Sequence, residues 1–236
     1  RKFIASIGPF WDGNEVWLLT GGGALFAAFP AVYATVFSGF YLALMLVLCC
    51  LIFRAVSIEF RSNEHRPGVR NAWDLTFGIG STLAIVLFGV ALGNILRGLP
   101  LTPEGEFAGS FFTLLNPFAI AVGVMNLAML ATHGALYLVL RTDGDLAAKA
   151  KGWARTSAIA YSVVAVVAVL AAVLTKQSVS ANYATFPALY ILPLLALSSI
   201  CLLGMANKNG QEKKAFGFSC AGIALWLLSA VAGIFP

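Results

Sequence analysis

The chain has 236 residues, of which 60% are hydrophobic and only 11% charged, with a mean hydropathy of +0.88. Soluble domains run near 25% charged residues, so a soluble fold is excluded. The net charge of +5 belongs to short loops between apolar runs and is not read as nucleic-acid affinity, so no nucleic acid is expected as a partner.

The expected fold class is an all-α integral membrane protein, a polytopic helix bundle. A spanning helix takes about 20 apolar residues. Seven such segments fit the sequence, and they fill residues 1–236 as a single transmembrane domain. No signal peptide is expected before the first of them. The sequence opens on Arg1 rather than methionine and stops at Pro236 after an apolar run, so both ends are expected to be missing.

Span A covers about 9–33. Pro9 suits a first helical turn, and Pro30 is expected to kink the helix or begin its end. Span B covers about 40–60. Arg54, Glu59, Arg61, Glu64, His65, Arg66 and Arg70 then mark a wet loop. Span C covers about 71–99 and carries Asp74, Gly78 and Ser81 along one face. Further along it, Gly89 and Gly93 form a small-xxx-small pattern that lets helices approach closely, here expected to be those of a partner. Asn94 beside them is expected to hydrogen-bond a neighbouring helix. Span D covers about 112–140. The stretch RTDGDLAAKAKGWAR reads as a loop, and spans E, F and G follow at about 156–174, 184–205 and 215–235. No fixed-period repeat is present.

The positive-inside rule gives the orientation. With seven spans, thirteen of the 15 Lys and Arg residues fall on one side. The other side has Arg97 and Lys176 alone. The first side is therefore cytoplasmic, which places Asp12, Glu15 and Asp74 near cytoplasmic helix ends.

The sequence GPFWDGNEVWLLTGGGALFAAFPAVYATVFSGFY, from Gly8 to Tyr41, is the least generic part of the chain. It sets Asp12 and Glu15 beside Trp11 and Trp17 at the entrance to an apolar segment containing Gly21–Gly23. Ionisable groups at the edge of a bilayer are costly unless something pairs or uses them. Residues three apart share a helix face, and neighbouring carboxylates raise one another's proton affinity. Asp12, Glu15 and Asp74 are thus candidates for a proton relay. The same residues also read as ordinary helix-end acids, with tryptophans anchoring the membrane interface.

Other chemistry is absent. There is no P-loop, no HExxH and no CxxC pair. Cys49, Cys50, Cys201 and Cys220 sit in apolar runs without metal-ligand spacing and read as small hydrophobes. His133, Met45, Met125, Met129 and Met205 are haem-ligand types. A lone intramembrane histidine, however, more often hydrogen-bonds another helix. No metal site, no cofactor-binding residue and no catalytic centre of the chain's own is expected.

The block IGPFWDGNEVWLLTGGGALFAAFPAVYATVFSGFYLAL, followed by LIFRAVSIEFR, resembles subunit II of the cytochrome bd-type quinol oxidases. NAWDLTFGIGS, FGVALGNILRGLPL, FFTLLNPFAIAVG and THGALYLVLRT match in the same order, so the resemblance covers nearly the whole chain. It extends to the cyanide-insensitive oxidases of the superfamily. Members have nine spans, consistent with a first and a last helix missing here.

The resemblance implies a heterodimer with a haem-bearing subunit I in a bacterial or archaeal cytoplasmic (inner) membrane. Subunit I would carry two b-type haems and haem d, oxidise quinol and reduce dioxygen to water. The present chain would ligate no haem. It would line a cytoplasmic proton path in which the family's WDGN aspartate corresponds to Asp12. A small accessory subunit and contact with membrane lipid or quinone are compatible with this reading. The competing reading is a secondary transporter or proton channel, with Gly21–Gly23 and Pro30 forming a broken helix.

Overall fold

The computed structural model describes residues 2–174 and 179–234. Arg1, Lys176 and Phe235, which enter the charge count or the last span, lie outside them. The described residues are helical throughout their ordered elements and contain no strand beyond a lone bridge between Leu101 and Phe107.

A short helix, α1 (Lys2–Ile7), leads into α2 (Trp11–Ala28) and α3 (Pro30–Gly39). These two replace the single span expected at 9–33. The cause is Pro30, which has no N–H to give and whose ring collides with the carbonyl four residues back. Phe29 takes a non-helical backbone (φ −137°, ψ 63°), and Pro30 restarts the helix at its first position, where a missing N–H costs nothing.

Next come α4 (Tyr41–Asn63) and α5 (Pro67–Arg97). In the turn between them, one Glu64 carboxylate oxygen accepts the N–H groups of His65 and Arg66, both at 2.9 Å. The Arg66 guanidinium also binds this carboxylate and holds its pKa down at about 2. Pro67 then opens α5 earlier than span C was expected to begin.

A small helix, α6 (Phe111–Leu114), precedes α7 (Pro117–Arg141), whose first turn is capped by Asn116 accepting the Ala119 N–H at 3.0 Å. α8 (Asp145–Leu174) corrects the sequence reading, which gave 141–155 to a loop. Gly144 turns the chain at φ +67°, and Leu, Ala and Lys in DLAAKAK are all strong helix formers. α9 (Val179–Thr185), a 3₁₀ turn at Pro187–Tyr190, α10 (Ile191–Lys208) and α11 (Glu212–Ile234) complete the chain.

Six helices among the described residues are long and apolar enough to cross a membrane: α4, α5, α7, α8, α10 with its 3₁₀ turn, and α11. The α2–α3 pair is not one of them, yet it reaches both ends of the bundle. Phe10, just before α2, lies under the Arg141 guanidinium at one end, while the Thr35 hydroxyl of α3 donates to the Gly105 carbonyl at the opposite end, 2.9 Å away. We call the end bearing Arg61, Arg141 and Lys208 the basic end.

The core is built on alanine. At the basic end, Ala135 and Leu136 of α7, Ala154 and Ala158 of α8, and Leu203 and Ala206 of α10 close around Ala215 of α11. Small side chains let helix backbones approach, which matters where lipid removes most of the hydrophobic gain from packing. A second layer joins Met125, Tyr161, Ala165, Ala168 and Ile200.

α5 lies closer still to α7. A Cβ on Gly89 would sit 2.7 Å from the Gly123 Cα, and one on Gly93 would sit 2.7 Å from the Ala119 Cα. The glycine face expected to meet a partner is therefore spent inside the chain.

Asn94 does hydrogen-bond a neighbouring element, as expected. It is 3% exposed, donates to Val90 O and Leu114 O, and accepts from the Asn116 amide at 2.9 Å. Asn94→Leu would leave the Leu114 carbonyl and an Asn116 donor short of partners. Interhelical hydrogen bonds in membranes average only about 0.6 kcal/mol, whereas each unpaired buried group costs about 1–3 kcal/mol. The second effect dominates, and a loss of roughly 2 kcal/mol, read as a lowered unfolding midpoint in detergent, is expected.

The ends of the helices make a second prediction. A cysteine at Asp143 should react with a membrane-impermeant maleimide only from the cytoplasmic side, and one at Glu104 only from the other. Reaction of the Asp143 position from outside intact cells would reverse the orientation.

Candidate functional site

The entrance of α2 lies at the basic end. Three contacts fix it there. The Tyr137 hydroxyl of α7 donates to the Ser6 carbonyl at 3.1 Å, the Arg141 guanidinium sits over the Phe10 ring, and Phe3 packs against Trp153 of α8. These aromatic and cationic contacts carry the chain from α1 through Gly8–Phe10 into the first turn of α2.

The candidate carboxylates fare differently. Asp12 and Glu15 both lie in α2, three residues apart, as the sequence indicates. Glu15 is bound by Arg54 of α4 at 2.7 Å, with both side chains about three-quarters covered (24% and 23% exposed). Asp12 is exposed, has no hydrogen bond or ion pair among the described residues, and lies in the first turn of α2. Asp74, near the start of α5, is gripped by both nitrogens of an Arg61 fork, one of them at 3.0 Å. The structure thus does not gather the three acids into one cluster. It sets out two arginine–carboxylate pairs and one unpaired acid.

Arg54 and Arg61 are the residues sequence reasoning missed. Both were assigned to a wet loop, but they lie within α4, seven positions apart and so on one face of it. Arg54 reaches α2 and Arg61 reaches α5. The available signal was an arginine embedded in an apolar run, which as a rule has an acidic partner on a neighbouring helix.

The tryptophans do not enclose the acids within this chain. Trp17 is 74% exposed, and α2 buries none of its residues. Gly21–Gly23 lie within unbroken helix, and a Cβ on any of them would meet nothing within 4 Å. The break falls at Pro30, not at the glycines.

His133 answers the histidine question. Its Nδ1 lies 2.8 Å from the Ser219 hydroxyl of α11, and its ring stacks on Phe216. It is a helix-to-helix link. Met45 and Met205 are on the outer surface, while Met125 and Met129 line an apolar cavity of about 170 Å³ between α5, α7, α8 and α11. Cofactor pockets usually run from about 300 Å³ upward, so this cavity does not fit a haem. No group of three or more His, Cys, Asp or Glu side chains that could hold a metal occurs among the described residues. Cys50 is buried, while Cys49, Cys201 and Cys220 are on the outer surface; all four are free thiols.

Comparison with known proteins completes the identification. The family model for cytochrome bd terminal oxidase subunit II matches residues 1–236. A cytochrome bd-I ubiquinol oxidase subunit 2 from Escherichia coli is 37% identical over 266 residues, covering 100% of this chain and 70% of the relative. A probable cytochrome oxidase subunit 2 from Haemophilus influenzae is 36% identical, again over 100% of this chain and 70% of the relative. A cytochrome bd ubiquinol oxidase subunit 2 from Bacillus subtilis is 34% identical, over 100% and 69%. The chain is a multi-pass membrane protein that belongs to the cytochrome bd terminal oxidase subunit II family.

Proposed function

We propose that this chain is the non-haem-ligating subunit of a quinol oxidase and supports a haem-bearing subunit I that oxidises quinol and reduces dioxygen to water. We place a proton-delivery path at the entrance of α2, with Asp12 as its proton-exchanging group. The observation that carries this reading is the fate of the three acids: Glu15 and Asp74 are each held by an arginine, while Asp12 is left accessible. A relay needs a group that exchanges protons with water, and an unpaired carboxylate does so more readily than one locked to a guanidinium.

Haem chemistry is assigned to the partner. His133 is committed to Ser219 and Phe216, and the apolar cavity is too small for the macrocycle. This chain's own part is to orient Asp12 at the basic end, to keep Arg54 and Arg61 neutralised, and to offer α2 as an unburied face. Gly21–Gly23, where an added Cβ would meet nothing within 4 Å among the described residues, fit close packing against helices of the partner. The transporter reading loses ground, because its acids would lie deep in the membrane and the helix break would expose backbone at a substrate site.

Purification tests the assignment. A tag on this chain should retrieve a haem-containing partner, with b- and d-type absorption bands in the eluate. A stable, haem-free preparation from oxidase-expressing membranes would overturn it.

A further inference from the structure

A groove of about 530 Å³ runs between α8 and α10 at the basic end. Its walls change character with depth. At the level of the α10 end stand Lys151, Asn207 and Lys208, and Arg155 stands one turn further in. Leu203 is level with Arg155, and beneath it, towards the middle of the spans, the walls include Ile159 and Ile200. Gly152 and Gly204 leave it open, since a Cβ on either would meet nothing within 4 Å.

The charges are unevenly satisfied. Lys151 is paired with Glu212 of α11 at 2.5 Å. Arg155 and Lys208 have no ion pair among the described residues, and both are exposed. Asn207 donates its amide to the Lys151 carbonyl at 3.3 Å, which fixes which end of the amide carries oxygen. Its Oδ1 is buried and receives no hydrogen bond. With no accessible surface, this atom is closed off from the groove, and the two exposed cations are what the groove offers to a ligand.

We propose that this groove binds one anionic phospholipid, drawn from the leaflet at the basic end. The charge complementarity and the depth profile select it. Arg155 offers a planar fork and Lys208 a point charge to the phosphate. The apolar wall below receives the first part of an acyl chain, which a free phosphate could not use. Basic pockets between spanning helices on the positive side recur as anionic headgroup sites. The inference rests on the spanning orientation and not on the oxidase chemistry.

The test uses the purified complex, delipidated in detergent and titrated with phosphatidylglycerol or phosphatidylcholine under native mass spectrometry. Haem bands recorded on the same sample keep a failure of the oxidase assignment separate from a failure here. Wild type should retain phosphatidylglycerol in preference to phosphatidylcholine, and excess inorganic phosphate should not displace it. The double variant Arg155→Gln, Lys208→Gln should bind phosphatidylglycerol roughly tenfold or more weakly. Gly204→Phe, which fills the apolar wall and keeps every charge, should lose it too. Lys213→Gln with Lys214→Gln, exposed at the same end but outside the groove, should bind as wild type does. Unchanged binding in either groove variant, equal loss in the Lys213 and Lys214 control, or displacement by inorganic phosphate would each overturn the proposal.

Discussion

Gly93→Leu is expected to be the most damaging single substitution in the body of the bundle. The Cβ alone would come within 2.7 Å of the Ala119 Cα and 3.1 Å of the Val122 Cβ. Cα atoms are backbone and cannot rotate aside, so α5 and α7 must separate along their contact. Overpacking costs typically 1–3 kcal/mol, and a clash against backbone belongs at about 3 kcal/mol or above. Separation would also strain the hydrogen bond that Asn126 of α7 donates to the Ile85 carbonyl of α5 at 2.8 Å. The expected result is a sharp fall in assembled complex, with a lowered unfolding midpoint for whatever survives. Gly78→Leu, on the same helix but with open space at its Cβ, should be tolerated. If Gly93→Leu assembled and unfolded like Gly78→Leu, the tight α5–α7 approach would be wrong.

That contact shows what was legible in the sequence and what was not. Small-xxx-small spacing announces that two helices come close, but it carries no information about which helix is the second. The face was assigned to a partner, and α7 of the same chain occupies it. The long apolar runs gave α4, α5 and α11 to within a few residues, because length and hydropathy are local properties, whereas α7 and α10 begin five and seven residues later than expected. The start of α8 was not legible in the same way. Asp145, Lys149, Lys151 and Arg155 read as loop by their charge, although the alanines between them make good helix. Pro30 announced a break, and the break came at Phe29, where the chemistry of proline requires it. The site was half legible. Spacing puts Asp12 and Glu15 on one side of α2, but only tertiary packing decides that Glu15 meets Arg54 and Asp12 has no hydrogen-bond or ion-pair partner among the described residues.

Asp12→Asn is expected to keep the complex assembled, with its haem bands intact, while slowing steady-state oxygen consumption. Dioxygen reduction consumes protons, and a relay group acts by taking and giving one. Asparagine has nearly the same shape and cannot do either. General acid–base groups contribute roughly 10²–10⁴-fold, and because water reaches this exposed position and partly substitutes, a loss of about tenfold to 100-fold is expected. Asp12→Glu should keep more activity than Asp12→Asn, since it retains an exchangeable proton on a longer arm. The competing account makes Asp12 a first-turn acid that complements the helix dipole, worth about 0.3–1 kcal/mol. On that account both variants turn over normally, and Asp12→Asn shows only a slightly lower unfolding midpoint. Glu15→Gln separates the two further. It removes the carboxylate from Arg54 and leaves a guanidinium about three-quarters covered and unpaired, so its effect should fall on stability and assembly rather than on turnover per haem. Turnover per haem near wild type in Asp12→Asn would therefore remove Asp12 from the proton path and leave it a helix-end charge.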